Sequence, residues 1–375
     1  MVQVRRRVAQ ADRAVKDLQR DGVDMRKLSI VGKGYHTDEQ VDSGNSKLRM
    51  KILIYGAGVQ GSLYGARLFE AGHDVTLLAR GSRLADLRAQ GIILEDRISE
   101  RCTVTRVPIV DQLSPCDEYD LAMVPVRREQ IGDVLPTLSA ARGIRSVLFM
   151  HNHAGGSDQL VAAVGRERVL LGFAGASGSR QGNVVKYLLI PQQPTTLGEI
   201  EGPPTPRIRE IAAMLEESGF NVALSQNMDA WLKTHAVFVT AVCGALYCAG
   251  ADNSELARSS ETMVLFVYGV REGLRSLRTL GLPPPPINLR AIFEWMPRGI
   301  AIAYWRRFFG SERGKYYFTE HARIAWAEMK MLSDEVRALP GIGASAAPSF
   351  DLLCGAIDAY AGRMSASTLN LGFAH

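Results

Sequence analysis

Apolar and polar positions along the chain fall into three stretches with different periods. Residues 1–49 are polar and charged, with one helical run at 8–18 and a short apolar run, Leu28-Ser29-Ile30-Val31. A Gly/Ser/Asn-rich segment at 42–47 reads as a linker. Too few apolar residues are present to build a core, so 1–49 is expected to be an appended segment. From Lys51 onward, short apolar runs alternate with helix-length periodic stretches. Strands are expected at 51–55, 74–78, 119–124, 146–150, 169–173, 195–199 and 221–224, and helices at 61–71 and 207–217. This alternation predicts an α/β fold over residues 50–226, with a doubly wound, mainly parallel sheet covered on both faces. After about Gln226 the strand pattern stops. Helical periodicity at 230–250, 259–280, 289–309 and 318–339 makes 227–375 an all-helical C-terminal domain, with Pro283 to Pro286 as a stiff connector.

Composition narrows the class without naming a function. A chain of 375 residues suits two domains that each bury a core. The net charge of +5 is mild, and no Lys/Arg run is long enough to argue for a nucleic-acid partner. Arg5, Arg6 and Arg7 read as a solvated terminus. Five scattered cysteines, without CxxC or metal-ligand spacing to the histidines, suggest a reducing compartment and no metal site. The longest apolar run, 236–250, falls short of the roughly 20 residues that span a bilayer. No membrane partner and a cytoplasmic location are therefore expected.

The chemistry begins at Gly56-Ala57-Gly58-Val59-Gln60-Gly61, which follows the first strand and opens the first helix. GxGxxG alone is weak, but between a strand and a helix it marks a Rossmann-type nucleotide turn. Its glycines give a tight turn, room for a pyrophosphate and close helix–strand packing, and the helix N-terminus supplies free N–H groups. Its bland alternative is a glycine-rich turn without a ligand. An NAD site usually has a carboxylate at the end of the second strand for the ribose 2′-hydroxyl. Here the sequence reads Leu77-Leu78-Ala79-Arg80-Gly81-Ser82-Arg83. Arg80 and Arg83 instead suit the 2′-phosphate of NADPH/NADP through charge-assisted bonds, unless both are merely solvated.

With these residues in view, the chain over 50 to about 365 resembles the ketopantoate reductase family. The resemblance rests on the glycine turn with Arg80-Gly81, Val124-Pro125-Val126-Arg127, His151-Asn152, Trp231-Leu232-Lys233 and Glu328. It implies NADPH-dependent reduction of a 2-oxo acid to a 2-hydroxy acid, with Lys233 as general acid. An apolar setting beside Trp231 and Leu232 can lower a lysine pKa toward the working range. Asn152 is implied to lie near nicotinamide and substrate, Arg127 to contact cofactor or a substrate carboxylate, and Glu328 to bind the substrate hydroxyl. Each also has a plain reading as a surface or helix-face residue.

Departures from the family pattern bear on the substrate. His153 stands where the family has glycine, and Val237 and Ala241 where it has asparagines. The stretch Lys315-Tyr316-Tyr317-Phe318 replaces a substrate-binding serine. Lost hydrogen-bonding groups argue against ketopantoate and for a larger or more apolar oxo compound, with Arg298, Arg306 or Arg307 at an acidic end. Two rival readings stay open: a non-catalytic NADP-binding sensor or scaffold, and opine-type reductive amination. Helical second domains often pair, so a homodimer is an expected partner beside the small-molecule substrate. Residues 18–37 separately resemble the start of a small stress-protein family of unknown function.

Overall fold

The first strand, β1 (Lys51–Tyr55), has no polar side to turn to water. Ile52 and Ile54 enter one core and Leu53 and Tyr55 the other, all 3% exposed or less. Such a strand must lie inside a sheet with a layer on each face. In the computed structural model of the chain, which describes residues 49–342 and 346–372 with side chains to 366, it does. The expectations for residues 1–48 fall outside the described residues.

From β1 the chain runs through α1 (Val59–Glu70), β2 (Asp74–Leu78), α2 (Gly81–Gln90), β3 (Ile92–Asp96), β4 (Cys102–Thr105) and β5 (Ile109–Val110). Then come β6 (Tyr119–Val124), α3 (Ile131–Ala140), β7 (Ile144–Phe149), α4 (Asp158–Val164) and β8 (Val169–Phe173). The hairpin β9 (Ala176–Gln181) and β10 (Val184–Leu189) precedes β11 (Thr195–Gly198), α5 (Pro206–Glu217) and β12 (Val222–Leu224). Eight strands form the main sheet in the order β12-β11-β8-β7-β6-β1-β2-β5, and every neighbouring pair is parallel except β8 with β11. The strand order reverses between β1 and β6, so a crevice opens beyond their carboxyl ends, where doubly wound sheets take ligands.

A second sheet, β4-β3-β10-β9, is absent from the sequence-based expectation. Leu94, Val185 and Tyr187 bury on the α1 side, and Arg67 of α1 donates to the Tyr187 hydroxyl (2.6 Å). This sheet thus lies over the helix that starts at the glycine turn.

The helical half comprises α6 (Met228–Cys248), α7 (Asn253–Arg258), α8 (Ser260–Thr279), α9 (Arg298–Phe309), α10 (Glu320–Ile324), α11 (Trp326–Arg337) and α12 (Pro348–Gly372). Its centre is a tight three-helix contact. A Cβ on Gly244 of α6 would sit 2.5 Å from the Leu353 carbonyl oxygen of α12, and one on Gly273 of α8 would sit 2.5 Å from Val237 Cγ1. By length and composition α6 could cross a membrane, but 83% of its most apolar window is buried inside this fold. Two expected helices are broken. Pro297 cannot continue the one over 289–309, which restarts at Arg298, and the one over 318–339 breaks at Ala325 (φ −110°, ψ 28°). α12 has no counterpart among the expected elements.

Candidate active site

The glycine turn has the form its sequence requires. Gly56 takes φ +111°, a conformation open to glycine at little cost, and donates its N–H to the Leu78 carbonyl (3.2 Å). A Cβ on Gly61 would lie 1.9 Å from the Gly56 carbonyl oxygen, so only glycine lets α1 start this close to β1. A Cβ on Gly58 would meet nothing within 4 Å, and no side chain caps α1. The helix start therefore faces open space with uncapped N–H groups, which fits a pyrophosphate. Ala57 is buried, Val59 lies against Gly178 of β9, and Gln60 Nε2 donates to the Ala176 carbonyl (2.7 Å).

The two arginines after β2 part company. Arg80 is exposed at the start of α2 and, among the described residues, its guanidinium reaches only the Tyr55 side chain (hydroxyl 3.2 Å), leaving it open to an anion at the end of β2. Arg83 is buried and donates to the Ala57 carbonyl (3.3 Å), Ser62 Oγ (3.2 Å) and the Asn183 carbonyl (3.4 Å). Burial, and then the neighbouring charge of Arg180, push its pKa down. Instead of standing free for a phosphate, Arg83 ties the turn to the second sheet. Sequence reading passed over Arg180, an exposed cation on β9.

Across the crevice, Asn152 meets Glu328 from 176 residues away: Asn152 Nδ2 donates to Glu328 Oε1 (3.4 Å), and Asn152 Oδ1 is buried without a partner. Glu328 is 3% exposed. Burial alone would raise its carboxyl pKa, but His321 beside it (Nε2–Oε2 3.4 Å), Asn152 and then Arg127 together hold it below the usual carboxylate range. Arg127 also reaches the Ile324 carbonyl (3.4 Å), placing it at the same junction. The break at Ala325 creates this arrangement, because it puts His321 before the kink and Glu328 in the first turn after it. Such a kink has no sequence marker, and His321 was missed.

Lys233 lies in the second turn of α6, after the Asn227 side chain caps the helix by accepting from Ala230 N (2.8 Å). Its side chain is 18% exposed and its ammonium pairs with the Asp229 carboxylate one turn earlier. The apolar wall expected from Trp231 is elsewhere. Trp231 points to another face of α6, stacked on His235 (5.1 Å) and against Phe173 (5.6 Å). The i,i+4 spacing of Asp229 and Lys233 was readable in the sequence. Both groups bear electrostatically on His153, the residue after Asn152. The loop carrying Asn152 is clamped by Glu335, which accepts from Ala154 N (2.8 Å), Gly155 N (3.2 Å) and Arg128 Nε (2.7 Å).

Several residues singled out for substrate stand apart from this cluster. Val237 and Ala241 are fully buried in the helical core. Tyr316 lies under Arg97 (4.4 Å to the ring) and accepts from Ser177 Oγ at its carbonyl (2.6 Å), joining the second sheet to the helical half. Arg298 bonds Tyr268 and Arg306 the Ala257 carbonyl (3.1 Å). On 289–309, Phe293, Trp305 and Phe309 are core, whereas Trp295 and Tyr304 are exposed.

Burial pushes the His153 pKa down to about 4 and that of His235 to about 3. Both lie below the roughly 6.5 of an unfolded histidine. Between those values the unfolded chain takes up protons that the fold refuses, so stability falls as pH drops from about 6.5 towards 4. His235→Phe, which retains an aromatic against Trp231, should lessen that fall. Urea midpoints at pH 7 and pH 4.5 measure it, and an unchanged difference would exclude His235 as a cause.

Comparison with known proteins agrees with this architecture. Residues 52–202 match the sequence profile of the family described as Ketopantoate reductase PanE/ApbA. An uncharacterized oxidoreductase of Bacillus subtilis is 26% identical over 199 residues, 52% of this chain and 64% of the relative, so the match spans just under two thirds of that protein. The 2-dehydropantoate 2-reductase of Pyrococcus horikoshii is 22% identical over 233 residues, 60% of this chain and 73% of the relative. Among solved structures, a PanE/ApbA family ketopantoate reductase from Ralstonia eutropha superposes with a TM-score of 0.65 at 18% identity, covering 82% of this chain and 97% of that one. D-mandelate dehydrogenase with NADH and anilino(oxo)acetate gives 0.65 at 19%, covering 83% and 97%. By its profile match over residues 52–202, its distant relatives and its fold, this chain is similar to the ketopantoate reductases.

Proposed function

We propose that this protein is an NADPH-dependent reductase that converts a 2-oxo acid or related carbonyl to the hydroxy compound. One observation carries the reading: Asn152 Nδ2 meets buried Glu328 (3.4 Å) at the carboxyl edge of the sheet, in the same crevice that the glycine turn faces. Gly56, Ala57, Gly58, Val59, Gln60 and Gly61 would hold the pyrophosphate and Arg80 the 2′-phosphate, with Asn152 and Arg127 towards the nicotinamide. When bound, the reduced cofactor supplies a hydride. Lys233 donates the proton that the developing alkoxide needs, and Asp229 aims its ammonium. Ionised Glu328 accepts a hydrogen bond from a substrate hydroxyl. The ligand named with D-mandelate dehydrogenase, anilino(oxo)acetate, is itself a 2-oxo carboxylate, the chemistry this reading expects.

NADPH oxidation with a panel of 2-oxo acids, with and without amines, tests the assignment. Turnover without amine is the expected result. Tight NADPH binding with turnover on no member would sink it, as would turnover only with amine. Cofactor choice has its own test. Arg80→Ala should weaken NADPH by about 10- to 100-fold, from a charge-assisted bond of roughly 1.5–3 kcal/mol, and leave NADH nearly unchanged. Equal losses for both cofactors, in fluorescence titrations, would exclude the 2′-phosphate role.

A further inference from the structure

On the outer side of the helical half, α8 presents Arg271, Arg275 and Arg278 at spacings of four and three, hence on one face. Gly273 points the other way, into Val237 and Phe350, so this face lies opposite the core that carries α6. The segment around Phe293 and Glu294 crosses it and borders a half-open cavity of about 220 Å³, lined by the three arginines, Leu274, Phe293 and Glu294.

Charge in this cavity is unbalanced. Glu294 pairs with Arg278 and with Arg290 (3.2 Å). Arg271 donates through Nη2 to the Met296 carbonyl (2.7 Å), but its Nε is buried with no partner. Arg275 has no hydrogen-bond or ion-pair partner among the described residues. Arg298 adds its charge from beside Arg271. Three guanidinium groups thus line the cavity beside one carboxylate, with Arg290 on that carboxylate and Arg298 next to Arg271. Arg275 and Arg278 are exposed, whereas the Nε of Arg271 is buried without a partner, so the cavity offers an unpaired buried donor beside solvent-facing guanidinium groups whose planar forks suit an oxyanion.

We propose that this cavity binds the phosphate or carboxylate end of a small metabolite, with Leu274 and Phe293 against its apolar part. Its volume is below the roughly 300 Å³ at which drug-sized ligands begin to fit, so a dinucleotide is excluded. The site is separate from the glycine turn and does not depend on the proposed reaction.

Calorimetric titration of inorganic phosphate and, separately, succinate, at ionic strength matched with chloride, tests it in the full chain. Arg275→Ala removes a side chain without partners, and it should weaken the bound oxyanion by about 10-fold or more. Arg80→Ala, at the nucleotide turn, should leave that binding unchanged. Binding of phosphate alone assigns a phosphoryl group, and binding of succinate assigns a carboxylate. No heat beyond the chloride control, or binding lost in Arg80→Ala and kept in Arg275→Ala, overturns the proposal.

Discussion

Lys233→Ala is expected to lower turnover of a 2-oxo acid by roughly 10²- to 10⁴-fold, the range for loss of a positioned general acid. NADPH binding should persist, because no part of the glycine turn touches this side chain. The loss should lie in kcat and kcat/KM alike, since proton donation stabilises the transition state and not the bound ketone. Removing the ammonium also leaves Asp229, 20% exposed, without its partner, so a modest stability loss should accompany the kinetic one. Lys233→Ala/Asp229→Asn relieves that unpaired charge and should recover stability but not rate. Steady-state kinetics beside thermal melts separate the two effects. A single variant turning over within a few-fold of the parent would remove Lys233 from the reaction.

Two glycines of the turn should behave in opposite ways. At Gly61 an added Cβ would stand 1.9 Å from a backbone oxygen, and no rotamer change can relieve a clash with main chain. Gly61→Ala must therefore lift α1 off β1, at a cost at or above the roughly 1–3 kcal/mol of an overpacked core. NADPH affinity should fall by more than about 100-fold as the N–H groups lose their aim, since even a single charge-assisted bond is worth roughly 1.5–3 kcal/mol. Gly58→Ala meets no protein atom within 4 Å, so the fold should keep its melting temperature while the methyl group stands where the pyrophosphate would approach. Melting and NADPH titration of both variants check the pair. Gly58→Ala binding NADPH normally would contradict a cofactor at this turn.

Legibility in the sequence followed burial. β1, β6, β7 and β8 are apolar on both faces and stand out as runs, whereas β9 reads Ala-Ser-Gly-Ser-Arg-Gln and gives no such signal. The second sheet buries one side only, and half its pattern is polar. α12 did carry a usable signal, with Phe350, Leu353, Cys354, Ile357 and Ala361 at helical spacing, diluted by Gly355 and Gly362. In the site, the glycine turn, Asn152 and Lys233 could be read from local motifs. The fixed role of Arg83, the Asn152–Glu328 contact and the presence of His321 depend on long-range packing and on a kink at Ala325, which local sequence does not encode. Val237 and Ala241 stand out in the sequence because they occupy positions where the resembled family has asparagines, one and two turns after the lysine. Both are fully buried in the helical core instead, Val237 tightly against Gly273 of α8.

α6 is set into both halves of the molecule: Met228 and Leu232 belong to the core under the sheet, and Ala236 to Tyr247 to the helical core. A rod about 30 Å long, fixed at both ends, works as a gauge between them. It cannot roll in one block without rolling in the other. The bearing of the ammonium near its start is thus governed by how methyl groups and glycines mesh several turns away, and mutations that loosen the distant end should shift the Lys233–Asp229 pair before they unfold anything.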